Sequence, residues 1–219
     1  MNFDLSEEQK LIQETARDFA TAELEAAAAE LDSGGDGAIF LANLNKLAEL
    51  GFMGLNIREA YGGSEAGPIA FSLAITEIAR ACASTAVTVS VNNMVAEVIQ
   101  ALASEEQKQK YISAICSGEY PAGAFALTEP GAGSDPAGMT TTAVRDGDHW
   151  VLNGSKIFIT SGVFAGVFVV WAVTDPKAPK GKGISLFLVE GGTKGLVVGK
   201  KEEKMGQHAS PTNEILFQD

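Results

Sequence analysis

Long apolar runs are missing from this sequence. The longest stretch that begins and ends on an apolar residue, with glycine allowed inside it, is Val163 to Val173, 11 residues. A membrane-spanning helix needs about 18 or more, so no membrane insertion is expected. Also missing is a basic stretch followed by an apolar one in Met1-Asn2-Phe3-Asp4-Leu5-Ser6. No signal or transit peptide is read there, and the expected location is cytoplasmic. Positive charge is scarce: 16 lysines and arginines face 28 acidic residues, for a net charge of −12. Phosphate backbones are bound through lysine and arginine clusters, so nucleic acid is excluded as a partner. Cysteine is nearly absent. Cys82 and Cys116 sit in apolar stretches without metal-ligand spacing. They read as free core thiols in a reducing compartment, with no metal site expected.

What is present is an ordinary globular composition, 46% hydrophobic and 20% charged. That excludes a disordered or collagen-like chain. The 219 residues correspond to about one and a half domains. The charge is uneven. Residues 1–120 hold 7 basic and 18 acidic groups, and residues 121–219 hold 9 and 10. The acidic half, including the carboxylates of residues 7–32, reads as a solvated helical surface rather than a charge-steered docking face.

Residues 1–120 read as helices. Ser6-Glu7-Glu8-Gln9 is a capping box, followed by Leu11, Ile12, Thr15, Phe19 and Leu24 on one helical face. Gly34-Gly35-Asp36-Gly37 breaks that helix. Phe40 to Leu50 gives a second helix, with Leu44, Leu47 and Ala48 on one side and Gly51 as C-cap. Tyr61-Gly62-Gly63-Ser64 is a loop, and Pro68 suits the first turn of a third helix running to about Cys82. Thr85 to Leu102 is apolar on most sides and reads as a buried helix. Its β-branched start, Thr85 to Val91, also suits a strand, but the pattern outruns a typical strand. A second capping box, Ser104-Glu105-Glu106-Gln107, opens a helix ending near Gly118.

After Pro121 short β-rich runs alternate with turns. The runs are 122–128, 140–144, 150–152, 156–160, 167–174, 184–189, 195–198 and 213–217, with turn signals at Asp146-Gly147, Asn153-Gly154 and Asp175-Pro176. Helices first and strands afterwards predict an α+β chain with segregated layers. A helical domain, 1–120, is followed by a β-barrel or sandwich-like domain, 121–219.

Two stretches could carry chemistry. In Phe125-Ala-Leu-Thr-Glu-Pro-Gly-Ala-Gly-Ser-Asp135 a strand delivers the Thr128 hydroxyl into a glycine-rich turn ending at Ser134. Gly131 and Gly133 let a backbone approach a phosphate, and exposed amides with a serine hydroxyl bind an anion without a cation. The third glycine and following helix of a Rossmann fingerprint are absent. By composition alone, this is as well a surface turn. In Asn153-Gly154-Ser-Lys-Ile-Phe-Ile-Thr-Ser-Gly162, Asn-Gly reads as a hairpin turn. Strand alternation then places Phe158 and Thr160 on one face, where ring and hydroxyl could hold a planar heterocycle or simply form core and edge. His149 reads as a surface histidine, His208 as structural, and Glu129 as a structural carboxylate because Pro130 follows it.

Together, Leu-Thr-Glu-Pro-Gly-Ala-Gly-Ser-Asp and Asn-Gly-x-Lys-x-Phe-Ile-Thr resemble the acyl-CoA dehydrogenase family. Phe3-Asp4-Leu5-Ser6-Glu7-Glu8-Gln9 resembles its usual start, and Lys204-Met205-Gly206-Gln207, Ser210 and Glu214-Ile-Leu-Phe217 extend the likeness over essentially the whole chain. The resemblance implies an FAD-dependent oxidoreductase of fatty acid metabolism, acting in beta-oxidation on an acyl-CoA substrate. It also implies an electron-transfer flavoprotein as electron acceptor and a homotetramer or dimer at full length. It implies cofactor contacts at Phe125, Ala126, Leu127, Thr128, Gly133, Ser134, Phe158, Ile159 and Thr160. Thr128 would bond the flavin's polar edge, Gly133 and Ser134 the pyrophosphate, Phe158 the ring face and Thr160 the region of N5. Ser134 would also touch CoA.

The family's third, helical domain carries the catalytic base. It is expected beyond Asp219, so no catalytic residue is expected in this chain and the chain alone is expected to be inactive. His208 stands where relatives commonly have arginine. Ser90-Val91-Asn92-Asn93 resembles the short-chain branch. Two other readings share these motifs: a non-catalytic acyl-CoA- or flavin-binding module complete at this length, and an acyl-CoA oxidase or nitroalkane-oxidising relative.

Overall fold

The computed structural model describes residues 4–34 and 37–219. The expectations resting on Phe3 and on Gly35-Asp36 lie outside the described residues. The chain divides into two compact units. One comprises Met1–Ala122 with Lys204–Ser210, and the other Gly123–Glu203 with Pro211–Asp219.

The first unit is helical: α1 (Glu7–Phe19), α2 (Glu25–Asp32), α3 (Gly37–Glu49), α4 (Gly67–Ala81), α5 (Ala83–Leu102), α6 (Glu105–Gln107) and α7 (Ser113–Cys116). Both capping boxes form. The Ser6 and Ser104 hydroxyls accept from the Gln9 and Gln107 amides, and each glutamine side chain accepts from its serine's own amide. Pro68 lies in the first turn of α4, and Gly51 is left-handed beyond α3. The buried stripe of the first helix differs from the expected one. Ala16, Phe19, Ala20 and Leu24 are buried, whereas Leu11 is 63% exposed. The helix widens into a π-helical turn at Ala20–Leu24. Such a turn closes i→i+5 hydrogen bonds in place of i→i+4 ones, which shifts the face of the residues after it relative to those before it.

Helix α5 is the central element, as its apolar character predicts. Its buried residues nonetheless include Thr85, Thr88, Asn92 and Asn93. Each polar group is matched. The Asn93 amide donates to Phe52 O (2.9 Å) and Val89 O (3.0 Å), and its oxygen accepts from Leu55 N (2.8 Å). Asn92 donates to Pro121 O at 3.2 Å. Asn92 also donates to Met53 Sδ at 3.3 Å, so the two asparagines together staple the irregular segment after α3 to α5 while finding the partners a buried polar group needs to avoid a desolvation loss. Cys82 and Cys116 are buried and unpaired with each other. Among the described residues no helix is long and apolar enough to cross a membrane.

His208 lies in the segment Lys204–Ser210. Its Nδ1 faces Asp32 O and its Nε2 faces Lys204 O, while the Asp32 carboxylate lies 3.4 Å from Nδ1. Carbonyl oxygens only accept, so both ring nitrogens donate only when the ring is protonated. The two carbonyls, then the Asp32 charge, accordingly raise its pKa, against the lowering effects of burial and the Lys204 charge.

The second unit is one connected sheet of seven strands: β1 (Ala122–Ala126), β2 (Thr142–Asp146), β3 (His149–Thr160), β4 (Ala165–Val173), β5 (Ile184–Glu190), β6 (Leu196–Lys201) and β7 (Thr212–Gln218). The order is β1-β4-β2-β3-β7-β6, with β5 on β4. A single parallel pair, Thr142↔Val173, joins β2 to β4. The sheet therefore behaves as two layers, β1-β4-β5 and β2-β3-β7-β6. Ala124, Ala126, Phe168 and Val170 from the first share one core with Ile159, Ile215 and Phe217 from the second. This is the predicted α+β arrangement, with a sandwich-like mixed sheet after the helices.

One expectation is corrected. Asn153-Gly154 is no hairpin turn; it lies inside β3, which runs unbroken from His149 to Thr160 and merges two expected strands. The turn that does form is at Gly147 (φ +59°), between Asp146 and His149. Gly154 is required for another reason. Its φ is +149°, and an added Cβ would stand 2.7 Å from Thr141 Cα and Cβ.

Gly154→Ala is accordingly expected to destabilise the β unit by about 1–3 kcal/mol through overpacking, read as a lower urea midpoint. An unchanged midpoint would show that Thr141 yields freely. For His208, the folded pKa lies above its ordinary value of 6.5. Its stabilisation is complete below pH 6.5 and lost as pH rises through the folded pKa. The stability difference between the native chain and His208→Gln should therefore shrink on titration upward from about pH 5.5. A difference that grows with pH would contradict the assignment.

Candidate functional site

The site is built where β1 ends against the middle of β3. Along β1, Ala122, Ala124 and Ala126 are buried, and Phe125 faces the other way, half-buried against Trp171 with ring centroids 6.3 Å apart. Leu127 and Thr128 leave the strand half-buried. Thr128 O accepts from Ile157 N at 2.9 Å, which sets the end of β1 beside β3. The glycine turn then closes on itself. Glu129 N donates to Ala132 O (3.3 Å), and Ala132 N to Glu129 O (3.0 Å). Gly133 and Ser134 lie beyond this bridge on the exposed rim. The neighbouring Asp135 pairs with Lys180 from the loop between β4 and β5.

Strand β3 is irregular at the same place. Its register against β7 shifts between Lys156 and Ile159, a β-bulge. Phe158 has φ +59°, and Ser161 has φ +65°. A bulky residue at positive φ is an outlier costing on the order of 1–3 kcal/mol, and such strain concentrates at functional sites. Here two strained residues bracket Ile159 and Thr160. Phe158 is 60% exposed, an aromatic ring presented rather than packed, while Ile159 is 1% exposed. The Phe158–Thr160 pair is thus presented by a bulge and not by simple strand alternation.

Of the nine expected cofactor contacts, Phe125, Leu127, Thr128, Gly133, Ser134, Phe158 and Thr160 lie at least partly open. The side chains of Ala126 and Ile159 belong to the β-core. Their placement leaves them backbone contacts and support from behind.

Two residues of the site escaped the sequence reading. Lys156, in the middle of β3, is completely buried; its ammonium donates to Leu127 O (3.0 Å) and to Glu129 Oε1 (2.9 Å). In the sequence it is a lysine between Ser155 and Ile157 at the start of an expected strand, with nothing to mark it as buried. Ser161 is buried with no partner for its hydroxyl, and its amide donates to Pro211 O at 2.8 Å. Nothing in composition announces it.

Glu129 is the structural carboxylate expected. It is 3% exposed and accepts from Thr140 N (2.6 Å), Thr140 Oγ1 (2.8 Å), Thr141 N (3.0 Å) and Lys156. Burial would raise its pKa, but the hydrogen bonds from Thr141, Thr140 and Lys156 outweigh it and hold the carboxyl at about 2. Burial lowers the Lys156 pKa, opposed by Glu129.

The residues present fit a flavin dinucleotide. Gly131 and Gly133 have no left-handed φ, and an added Cβ at either would meet nothing within 4 Å. Neither the fold nor steric crowding demands glycine there. The space they keep open suits a ligand's phosphates lying close to the backbone. An exposed ring and two hydroxyl residues, Thr128 and Thr160, on adjoining segments suit a planar heterocycle.

Two family models match: "Acyl-CoA dehydrogenase, N-terminal domain" over residues 6–119 and "Acyl-CoA dehydrogenase, middle domain" over residues 124–219. The chain belongs to the acyl-CoA dehydrogenase family. Among its relatives, the short-chain specific acyl-CoA dehydrogenase of Clostridium acetobutylicum is 41% identical over 220 residues, covering 100% of this chain and 57% of that protein. A solved chain from the electron transferring flavoprotein of Acidaminococcus fermentans superimposes with TM-score 0.93 at 41% identity, over 100% of this chain and 57% of that one. An acyl-CoA dehydrogenase of Bacillus anthracis complexed with FAD gives TM-score 0.88 at 34% identity, over 99% of this chain and 36% of that one. The chain thus spans little more than half the length of the curated relative it matches.

Within this family member, Glu129 ties the glycine turn to the sheet. Glu129→Gln leaves the buried Lys156 facing a neutral group, a loss of about 3–5 kcal/mol at neutral pH. A carboxyl at about 2 when folded contributes stability that is complete above its ordinary value of 4.5 and lost as pH falls toward 2. The gap between the native chain and Glu129→Gln in acid titrations followed by circular dichroism should close over that window. A gap independent of pH would contradict an ionised Glu129.

Proposed function

We propose that this chain carries the flavin-facing part of an FAD-dependent enzyme that desaturates acyl-CoA thioesters between Cα and Cβ. The observation that supports it best is the strained bulge that presents Phe158 beside Thr160, adjoining the Thr128 end of β1 and its open glycine turn. In the reaction the α-proton leaves to a base, and FAD, when bound, accepts the hydride from Cβ. The chain's residues serve that chemistry by holding and shielding. Phe158 offers a flat face, Thr128 and Thr160 offer hydroxyls to the polar edge, and Phe125 and Leu127 exclude water alongside. Gly131 and Gly133 let the backbone approach the pyrophosphate, and Ser134 adds a hydroxyl there and toward CoA. Each such positioned donor is worth roughly 100- to 1000-fold where charge develops.

None of the carboxylates fits the base. Glu129 is removed from proton transfer by its four donors and its burial, and Asp135, on the exposed rim, is paired with Lys180. We therefore assign the base to the part of the family's length that this chain does not span, and propose that the 219 residues alone do not turn over. Electrons would pass to an electron-transfer flavoprotein, and the full-length protein would be a homo-oligomer. The short-chain relative points to a small acyl group.

The test begins with FAD titration of the purified chain, followed by flavin fluorescence. Gly133→Val should weaken binding at least about tenfold while leaving the melting temperature unchanged, because the added side chain meets only open space in the protein. Equal FAD affinity for both would make the loop only a turn. With butyryl-CoA, added FAD and a dye acceptor, the chain should turn over at least about 100-fold more slowly than the Clostridium acetobutylicum relative. Comparable turnover would place a base within residues 1–219.

A further inference from the structure

Lys156 takes no part in the chemistry above, yet it is a fully buried cation at the site. Its ammonium reaches Leu127 O at 3.0 Å and Glu129 Oε1 at 2.9 Å, and Ile157 N donates to Thr128 O at 2.9 Å. Glu129 in turn takes the Thr140 and Thr141 amides. Residues 127–129 are thus pinned to 156–157 by three contacts that each recognise one particular atom. The bulge begins at the next residue, Phe158 at φ +59°. On its far side Ser161 N is fixed to Pro211 O at 2.8 Å.

Stability is a poor explanation for this pair. Replacing a buried ion pair with apolar side chains of similar volume is often neutral or stabilising. An apolar chain would fill the space, but it could not choose between the carbonyls of neighbouring residues. A strand holding two left-handed residues relaxes by slipping unless its surroundings over-determine it. The contacts at Lys156 and at Ser161 are placed on either side of the strained stretch.

We propose that Lys156 and Glu129 are positioning residues for the cofactor: they lock the end of β1 and the β3 bulge in the one register that presents Thr128, Phe158 and Thr160 together. The proposal rests on the flavin reading above. Glu129 places the carboxylate end of the pair on the glycine turn itself, so the same contact also sets where Gly131 and Gly133 lie.

The test compares the native chain with Lys156→Met/Glu129→Gln, which removes the cation without leaving a buried unpaired carboxylate. Val170→Ala, in the same β-core, is the stability control. Three quantities are read: the melting temperature, amide hydrogen exchange over residues 125–129 and 156–161, and the FAD dissociation constant. The double variant should exchange at least about tenfold faster in both segments and bind FAD at least about tenfold more weakly. Val170→Ala should lower the melting temperature without either change. Glu129→Gln alone keeps the Lys156–Leu127 contact and should lose less FAD affinity than the double variant. If the double variant does not fold, Lys156→Gln carries the test, because Glu129 keeps its three hydrogen bonds from Thr140 and Thr141. Unchanged exchange in the two segments overturns the proposal, as does an equal loss of FAD affinity in Val170→Ala. Failure of the native chain to bind FAD overturns the flavin reading and the cofactor role with it. The exchange data then show separately whether the pair pins the chain.

Discussion

A carboxylate and an ammonium can share the inside of a β-sheet only when nearly every lone pair and proton has a partner. That condition governs the second unit. Glu129 has four donors, and Lys156 has two oxygen acceptors and the Met139 thioether; meeting them brings Thr140, Thr141 and Leu127 to fixed places. The strand end, the glycine turn and the bulge follow from those places. The helical unit meets the same constraint differently. The amides of Asn92 and Asn93 face backbone atoms of segments that no helix of their own could satisfy, so polar groups in the middle of α5 hold the irregular stretch after α3.

The site shows how a protein can present reactive edges without reactive side chains. Hydroxyls, an aromatic ring, open backbone and, at the rim, the paired Asp135 and Lys180 face outward. Glu129 and Lys156 are turned inward and committed to structure. Under the proposed reading such a surface would hold and orient a cofactor while the proton acceptor comes from elsewhere in the family's length.

Local signals in the sequence were legible where the physics is local. Both capping boxes, Pro68 in the first turn of α4, Gly51 after α3 and the turn at Gly147 depend on a few adjacent residues, and each stands where the sequence places it. The failures depend on distant partners. Asn153-Gly154 has a turn's composition, but its glycine exists because Thr141 comes close, and Thr141 is nowhere near in sequence. Leu11 is exposed because α1 packs through Ala16 and Phe19, and which face packs is decided by the elements it meets. The glycine turn, the hydroxyls and Phe158 could be named as candidates from their types and spacing. The bulge that aims Phe158, the pin at Lys156 and the strained Ser161 could not, since each is a relation between β3 and either β1 or β7.

The pairing of β7 with β3 also bears on how the chain acquires its fold. Strand β7 is the last of the seven, and it lies between β3 and β6, with Thr160 opposite Thr212 and Gly154 opposite Phe217. As the chain emerges from the ribosome, β3 completes its hairpin with β2 early, while its other edge waits until β4, β5 and β6 have all been made. Throughout that interval β3 is an open edge with Ile157 and Ile159 in a β-prone run, a template for pairing with another copy. The buried lysine within that run then has a second effect. Before Glu129 captures it, it is a charge on a nascent edge, and a charge there discourages intermolecular pairing.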